Sequence, residues 1–157
     1  FFGGDRARMY VHGKSSGGHV AAMMAVTDWA GAYSLPHDTI KGGLLVSGMY
    51  DLEPVRLTFR NEWLRLDHEA AARNSPTLHV PEDGCPLIIA AGSLETDEFR
   101  RQPCAFAEAW QAKRNPCHQL ELEGRHHFTV NYDMNDAASL LVAPFLGWMG
   151  LESAQVA

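Results

Sequence analysis

The stretch Val11-His12-Gly13-Lys14-Ser15-Ser16-Gly17-Gly18-His19-Val20 reads as strand, sharp turn, helix. Arg8 to His12 is a short β-prone run, and Val20-Ala21-Ala22-Met23-Met24-Ala25-Val26 consists mostly of strong helix formers. At the junction stands Gly13-x-Ser15-x-Gly17, the nucleophile-elbow pattern. A side chain lifted off a strand end onto a helix start needs a tight, strained turn. Glycines two residues before and two after it leave room for the neighbouring backbones. The serine hydroxyl then stands at a helix N-terminus, where the backbone N–H of Ser16 and the helix dipole can stabilise an oxyanion. Two plainer readings compete. The pattern is short and most chance matches are ordinary loops, but here a strand precedes it and a small-residue helix follows, the context expected of an elbow. A phosphate loop, suggested by Gly13-Lys14-Ser15, requires glycine at position 8, which is Arg8.

Outward from this elbow, strands alternate with helices. Gly43-Leu44-Leu45-Val46-Ser47-Gly48 and Cys85-Pro86-Leu87-Ile88-Ile89-Ala90-Ala91-Gly92 are short apolar runs of buried-strand length, and His118 to Leu122 is another strand. Strands are therefore expected near 8–12, 43–47, 86–91 and 118–122. The elbow helix is expected to end near Thr27-Asp28-Trp29. Thr96 is a plausible N-cap for a helix carrying Phe99, Phe106 and Trp110 at helical spacing. Pro103 inside that helix should bend it or cost about 3 kcal/mol. A last helix is expected over roughly Ser139 to Met149, followed by frayed final residues. Residues 52–79, with Glu53-Pro54 and Asn74-Ser75-Pro76, read as a long excursion of short helices and loops, of the kind that often carries function. This pattern predicts one α/β domain over 1–157, a parallel sheet with helices on both faces. Ligands bind such sheets at the carboxyl ends of the strands.

The chain has 157 residues, 46% of them hydrophobic, the size and balance of one globular domain. Its 13 basic and 19 acidic residues give a net charge of −6, and no basic cluster interleaved with aromatics points to nucleic acid as a partner. No apolar run is long enough for a membrane span. No signal-peptide pattern opens the sequence, which begins at Phe1. Cys85, Cys104 and Cys117, odd in number and without CxxC spacing, suit reduced thiols in a cytoplasmic protein. His68-Glu69 begins like a zinc-protease helix but has Ala72 where the second histidine must stand, so no metal site is expected. The expected partner is a small-molecule substrate, with no nucleic acid and no membrane; a homodimer is left open.

Ser15, Glu95 and His127 each lie just past a strand end, in the order Ser, acid, His of α/β hydrolases. Ser15 is a poor nucleophile until a base takes its proton. An imidazole, titrating near ~6.5, can do so at neutral pH. An acid behind the imidazole fixes its tautomer and stabilises the imidazolium. Asp97 is a rival acid, although its place at a helix start already gives it a structural role, and His126 is a rival base.

Gly3-Gly4-Asp5, the elbow through His19, Thr27-Asp28-Trp29, Ser47-Gly48-Met49-Tyr50-Asp51-Leu52 and Asn74-Ser75-Pro76 resemble the arylformamidase (kynurenine formamidase) branch of the α/β hydrolases. So do Glu95-Thr96-Asp97-Glu98-Phe99-Arg100-Arg101-Gln102 and His126-His127-Phe128. The resemblance runs from residue 3 to about residue 141. It implies an α/β-hydrolase fold, Ser15 as nucleophile, Glu95 rather than Asp97 as acid and His127 rather than His126 as base. It further implies hydrolysis of N-formylkynurenine to kynurenine and formate in tryptophan breakdown, with no cofactor. Related bacterial sequences are often esterases, so a carboxylesterase is the runner-up. Tyr50 and Trp63 are aromatic candidates for stacking an aryl substrate, with His126 a further pocket residue and residues 52–79 a candidate lid.

The sequence departs from that family in three ways. Lys14 stands where histidine is common, Pro103 interrupts a helix, and no His-Gly-Gly segment occurs anywhere. The resemblance thus reads as the C-terminal part of a larger hydrolase, N-terminally truncated, with only the Ser16 half of the oxyanion hole. Loss of one such donor costs on the order of 100- to 1,000-fold in turnover. The elbow strand would then have an unpaired edge, which invites aggregation. A non-catalytic module that folds with or binds a partner is the rival from another class.

Overall fold

The computed structural model describes residues 3–151. Four strands, β1 (Met9–Lys14), β2 (Ile40–Val46), β3 (Leu87–Gly92) and β4 (Cys117–Leu122), form one sheet in the order β1-β2-β3-β4, and every neighbouring pair is parallel. The helices are α1 (Ser16–Val26), α2 (Trp29–Tyr33), α3 (Glu53–Arg56), α4 (Asn61–Leu64), α5 (His68–Arg73), α6 (Asp97–Ala112), α7 (Val130–Met134) and α8 (Ala143–Trp148), with a 3-10 turn over Pro76–His79. All four expected strands are present, displaced by a few residues at their ends.

Strand side chains alternate between two faces. Val11, Leu45, Leu87 and Ile89 join Ala21, Ala22, Phe106 and Trp110 in one apolar cluster under α1 and α6. Leu44, Val46, Ile88 and Ala90 join Val130, Leu141 and Phe145 in a second cluster under α7 and α8. The strand order follows the chain order. Right-handed crossovers therefore carry α1 and α6 to one face, and the C-terminal helices close the other. With both faces covered, all six residues of β3 are buried, which is why its sequence is a continuous apolar run. Among the described residues β1 pairs with β2 alone, so its outer edge is unpaired.

The turn from β1 into α1 depends on Gly13. A Cβ there would lie 2.1 Å from the carbonyl oxygen of Gly17, a distance that only a moved backbone could relieve. The excursion over 52–79 consists of short helices and turns, as expected, around a small core of Leu52, Val55 and Ala71. Ser75 closes it: its Oγ accepts from the Leu52 N–H (2.8 Å) and donates to the Ala71 carbonyl (2.7 Å).

Pro103 lies inside α6, which continues to Ala112. The missing N–H falls in the second turn, and burial of Phe106, Ala107 and Trp110 beyond it holds the rest on the sheet. The last helix begins at Ala143, not Ser139. Pro144 sits in its first turn, where an absent N–H leaves no carbonyl unpaired, and the residues before it form turns, with Ser139 N–H donating to Asp136 (3.1 Å). The short helix α7 was not foreseen; the loop after β4 runs directly into it. The expectation of frayed final residues falls on 152–157, outside the described residues. Among the described residues, no helix is long and apolar enough to cross a membrane.

Candidate active site

The elbow holds Ser15 at φ 57° and ψ −123°, a conformation that costs a non-glycine residue about 1–3 kcal/mol. Two bonds keep it there. Its N–H donates to Val46 at the end of β2 (2.9 Å), and its carbonyl accepts from His19 in α1 (3.1 Å). Ser16 opens α1, so its N–H lies in the first turn, where helical N–H groups have no carbonyl partner within the helix. His19 Nδ1 lies 2.9 Å from the Met49 carbonyl and ties α1 to the loop after β2.

Glu95 lies in the tight turn after β3, with its side chain fully buried. Its Oε1 accepts from the Gly92 N–H (2.9 Å) and from the Ser47 hydroxyl. Its Oε2 lies 2.7 Å from His127 Nδ1. Since a carboxylate only accepts, the Nδ1 proton is donated to Glu95, which leaves Nε2 as an acceptor facing Ser15 Oγ at 3.1 Å. One imidazole thus joins a hydroxyl to a buried carboxylate.

The sheet order makes this juxtaposition demanding. β1 and β4 are three interstrand spacings apart, roughly 14 Å, so the loop after β4 must return over the ends of β3 and β2. Leu94 N–H donates to the Arg125 carbonyl (2.9 Å), and a Cβ at Gly92 would lie 2.2 Å from that same oxygen. Arg125 braces the loop from the other side through Nε to Asp133 (2.6 Å). The His127 ring packs on Phe99, with centroids 4.5 Å apart. Lys14 places its ammonium 5.5 Å from the Phe128 ring at the rim.

The other candidates separate. Asp97 is exposed in the first turn of α6, and the bond to His127 is made by Glu95 instead. His126 is exposed and shapes its own turn: its N–H donates to Thr129 Oγ1 (2.9 Å) and its Nδ1 accepts from the Phe128 N–H (3.2 Å). Trp63 is 70% exposed and edge-on to Phe59 on the outside of the excursion. Tyr50 is fully buried and stacks on Phe106 at 4.7 Å, so it is core and offers no face to a substrate. Its hydroxyl is buried with no partner among the described residues, and burial pushes the phenol well above its ordinary range. We therefore expect Tyr50→Phe to keep full activity and to leave stability unchanged or raised by about 1 kcal/mol. Steady-state kinetics and thermal unfolding check this, and a large loss of activity would restore Tyr50 to the site.

Three contributors were missed in the sequence. Ser47 holds the carboxylate, Gly92 admits the returning loop, and Phe99 seats the imidazole rather than packing on the sheet. Beside Phe99, a cleft of about 200 Å³ opens between the excursion and the start of α6, with Met49, Pro54, Val55 and Phe99 as its apolar lining and Arg60 and Glu98 among its polar lining. The thiols of Cys85 and Cys117 are each pushed up to about 11 by burial, which keeps them protonated at neutral pH. Among the described residues, no group of three metal-ligating side chains gathers.

No family model matches the chain. The chain is 35% identical over 148 residues to a kynurenine formamidase of Salmo salar, a match covering 90% of the chain and 50% of that protein. The chain thus spans half the length of that relative. Among solved structures, a thioesterase candidate from a Silicibacter species superposes with a TM-score of 0.71 at 27% identity, over 84% of this chain and 48% of that one. The apo form of esterase 2 from Thermogutta terrifontis gives a TM-score of 0.66 at 25% identity, over 92% and 56%. With its parallel sheet, its elbow and these likenesses, the chain has the α/β-hydrolase fold and is similar to a kynurenine formamidase over the half of that protein that it spans.

Proposed function

We propose that the chain carries the nucleophile, base and acid of a serine hydrolase that cleaves an aryl formamide, N-formylkynurenine, to kynurenine and formate in tryptophan breakdown in the cytoplasm. The observation that carries this reading is the single imidazole of His127, 3.1 Å from Ser15 Oγ through Nε2 and 2.7 Å from Glu95 through Nδ1. Ser15 Oγ attacks the formyl carbon while His127 Nε2 takes its proton. The Ser16 N–H holds part of the oxyanion. Glu95 keeps the imidazole in the required tautomer and balances its charge. His127 returns the proton to the leaving arylamine, and water then frees formate from Ser15. The cleft beside Phe99 takes the aryl group against its Met49, Pro54 and Val55 side, and residues 52–79 form its outer wall within one domain.

A carboxylesterase with the same machinery is the second reading, favoured by the likeness to esterase 2. Formate release from N-formylkynurenine, compared with p-nitrophenyl acetate hydrolysis on the same preparation, separates the two. We expect kcat/KM to favour the formamide. A preparation that hydrolyses only the ester makes the chain an esterase.

A further inference from the structure

We propose that Ser47 is a positioning residue of this site, its hydroxyl fixing Glu95 so that Oε2 is the oxygen presented to His127. The inference rests on the reading of Ser15, His127 and Glu95 as the reacting set, and it deepens that reading by one member.

Ser47 directly follows β2 and is completely buried. A buried hydroxyl must find a partner, and the partner here is Glu95 Oε1. A carboxylate cannot donate, so the hydroxyl proton is committed to it. With the Gly92 N–H on the same oxygen at 2.9 Å, Oε1 is doubly occupied. Only Oε2 is left for the imidazole, and three donors together offset the cost of burying the charge.

The backbone gives an independent reason to regard Ser47 as more than filler. Its φ is 49°, in the left-handed region where a side chain costs stability and glycine does not. Its N–H donates to the Ala90 carbonyl (2.8 Å), which locks that conformation. A residue that keeps a side chain at such a position, and aims its one polar atom at the buried acid, uses strain to place a donor. The positioning also links strands. The end of β2 has no reacting group of its own, and through Ser47 it orients a group carried by β3 for a base carried by β4.

The test is Ser47→Gly, which relieves the positive φ and removes one donor to the buried carboxylate; the two effects on stability oppose each other, so the variant should fold with an unfolding temperature close to that of wild type. We expect kcat on p-nitrophenyl acetate to fall roughly 10- to 100-fold, the span of one hydrogen bond to a charged group, with KM unchanged. The Gly92 N–H keeps Glu95 within reach of His127, but the carboxylate now carries charge that Ser47 no longer shares. The imidazolium facing it is therefore held more tightly, and the acidic limb of the kcat/KM profile moves to higher pH. NMR titration of the His127 ring in wild type and Ser47→Gly reads the same shift without any turnover. A folded Ser47→Gly protein in which neither kcat nor the His127 titration moves overturns the proposal and leaves Ser47 as a structural tie. The two readings fail separately. Wild-type turnover that survives Ser15→Ala defeats the hydrolase assignment, whereas the His127 titration judges Ser47 in either case.

Discussion

Ser15→Ala removes turnover: we expect formate release and ester hydrolysis to fall by roughly 10⁴- to 10⁶-fold, to a level at which only positioning and the oxyanion donor act. The elbow places Oγ at the one point where the lone pair of His127 Nε2 faces it, and no other hydroxyl meets that nitrogen among the described residues. The fold should not suffer. Ser15 makes no side-chain cap bond in α1, and alanine at φ 57° is strained to the same degree, so stability should change by less than about 1 kcal/mol. Labelling with a fluorophosphonate probe, read beside thermal unfolding, checks both halves. Labelled wild type and unlabelled Ser15→Ala are the expected pair. A wild-type protein that is folded yet never labelled supports the non-catalytic alternative.

Glu95→Gln is expected to cost nearly as much, on the order of 10⁴-fold in kcat, and the reason lies in which oxygen is already taken. Oε1 is fixed as an acceptor by the Gly92 N–H and the Ser47 hydroxyl. A glutamine in this pocket puts its carbonyl oxygen there, because its amide NH₂ would meet the Gly92 N–H, which can only donate. The NH₂ then faces His127 Nδ1 and forces that nitrogen to accept. The ring proton moves to Nε2, where it points at Ser15 and cannot receive the serine proton. Geometry and fold survive while the base is disabled by its tautomer. A crystal structure of the variant superposing on wild type, together with the lost kcat, is the expected result. A loss smaller than about tenfold would show that Glu95 does not set the tautomer.

The parts of this molecule legible in the sequence are those encoded by near neighbours in the chain. Gly13-x-Ser15-x-Gly17 is a local steric requirement, and β3 announces itself as an unbroken apolar run because both its faces are covered. Ser15, Glu95 and His127 are candidates in the sequence because each follows a strand end by a few residues, and the fold brings the three side chains together. What stayed hidden depends on packing across the chain. Tyr50 and Phe99 are both aromatics close to the site in sequence. Only the tertiary arrangement sends Tyr50 into the core against Phe106, while Phe99, at the overhanging first turn of α6, meets His127. Trp63 shares their composition but lies on an outer surface. Ser47 looked like one more residue at a strand exit, since nothing in its neighbourhood reveals a carboxylate 48 residues away.

The lateral order of the strands also bears on how the molecule comes together. The contact between Ser15 and His127 joins residues 112 apart in the chain and requires all four strands to be in place before the last loop can return. Each βα unit, by contrast, closes over a much shorter distance. Loop-closure entropy favours the short-range pairs first. During refolding, secondary structure should therefore recover before reactivity does, and the hydroxyl and imidazole should meet only in the closing steps. Until then every partly folded form holds Ser15 apart from His127 and, on the proposed mechanism, is chemically inert.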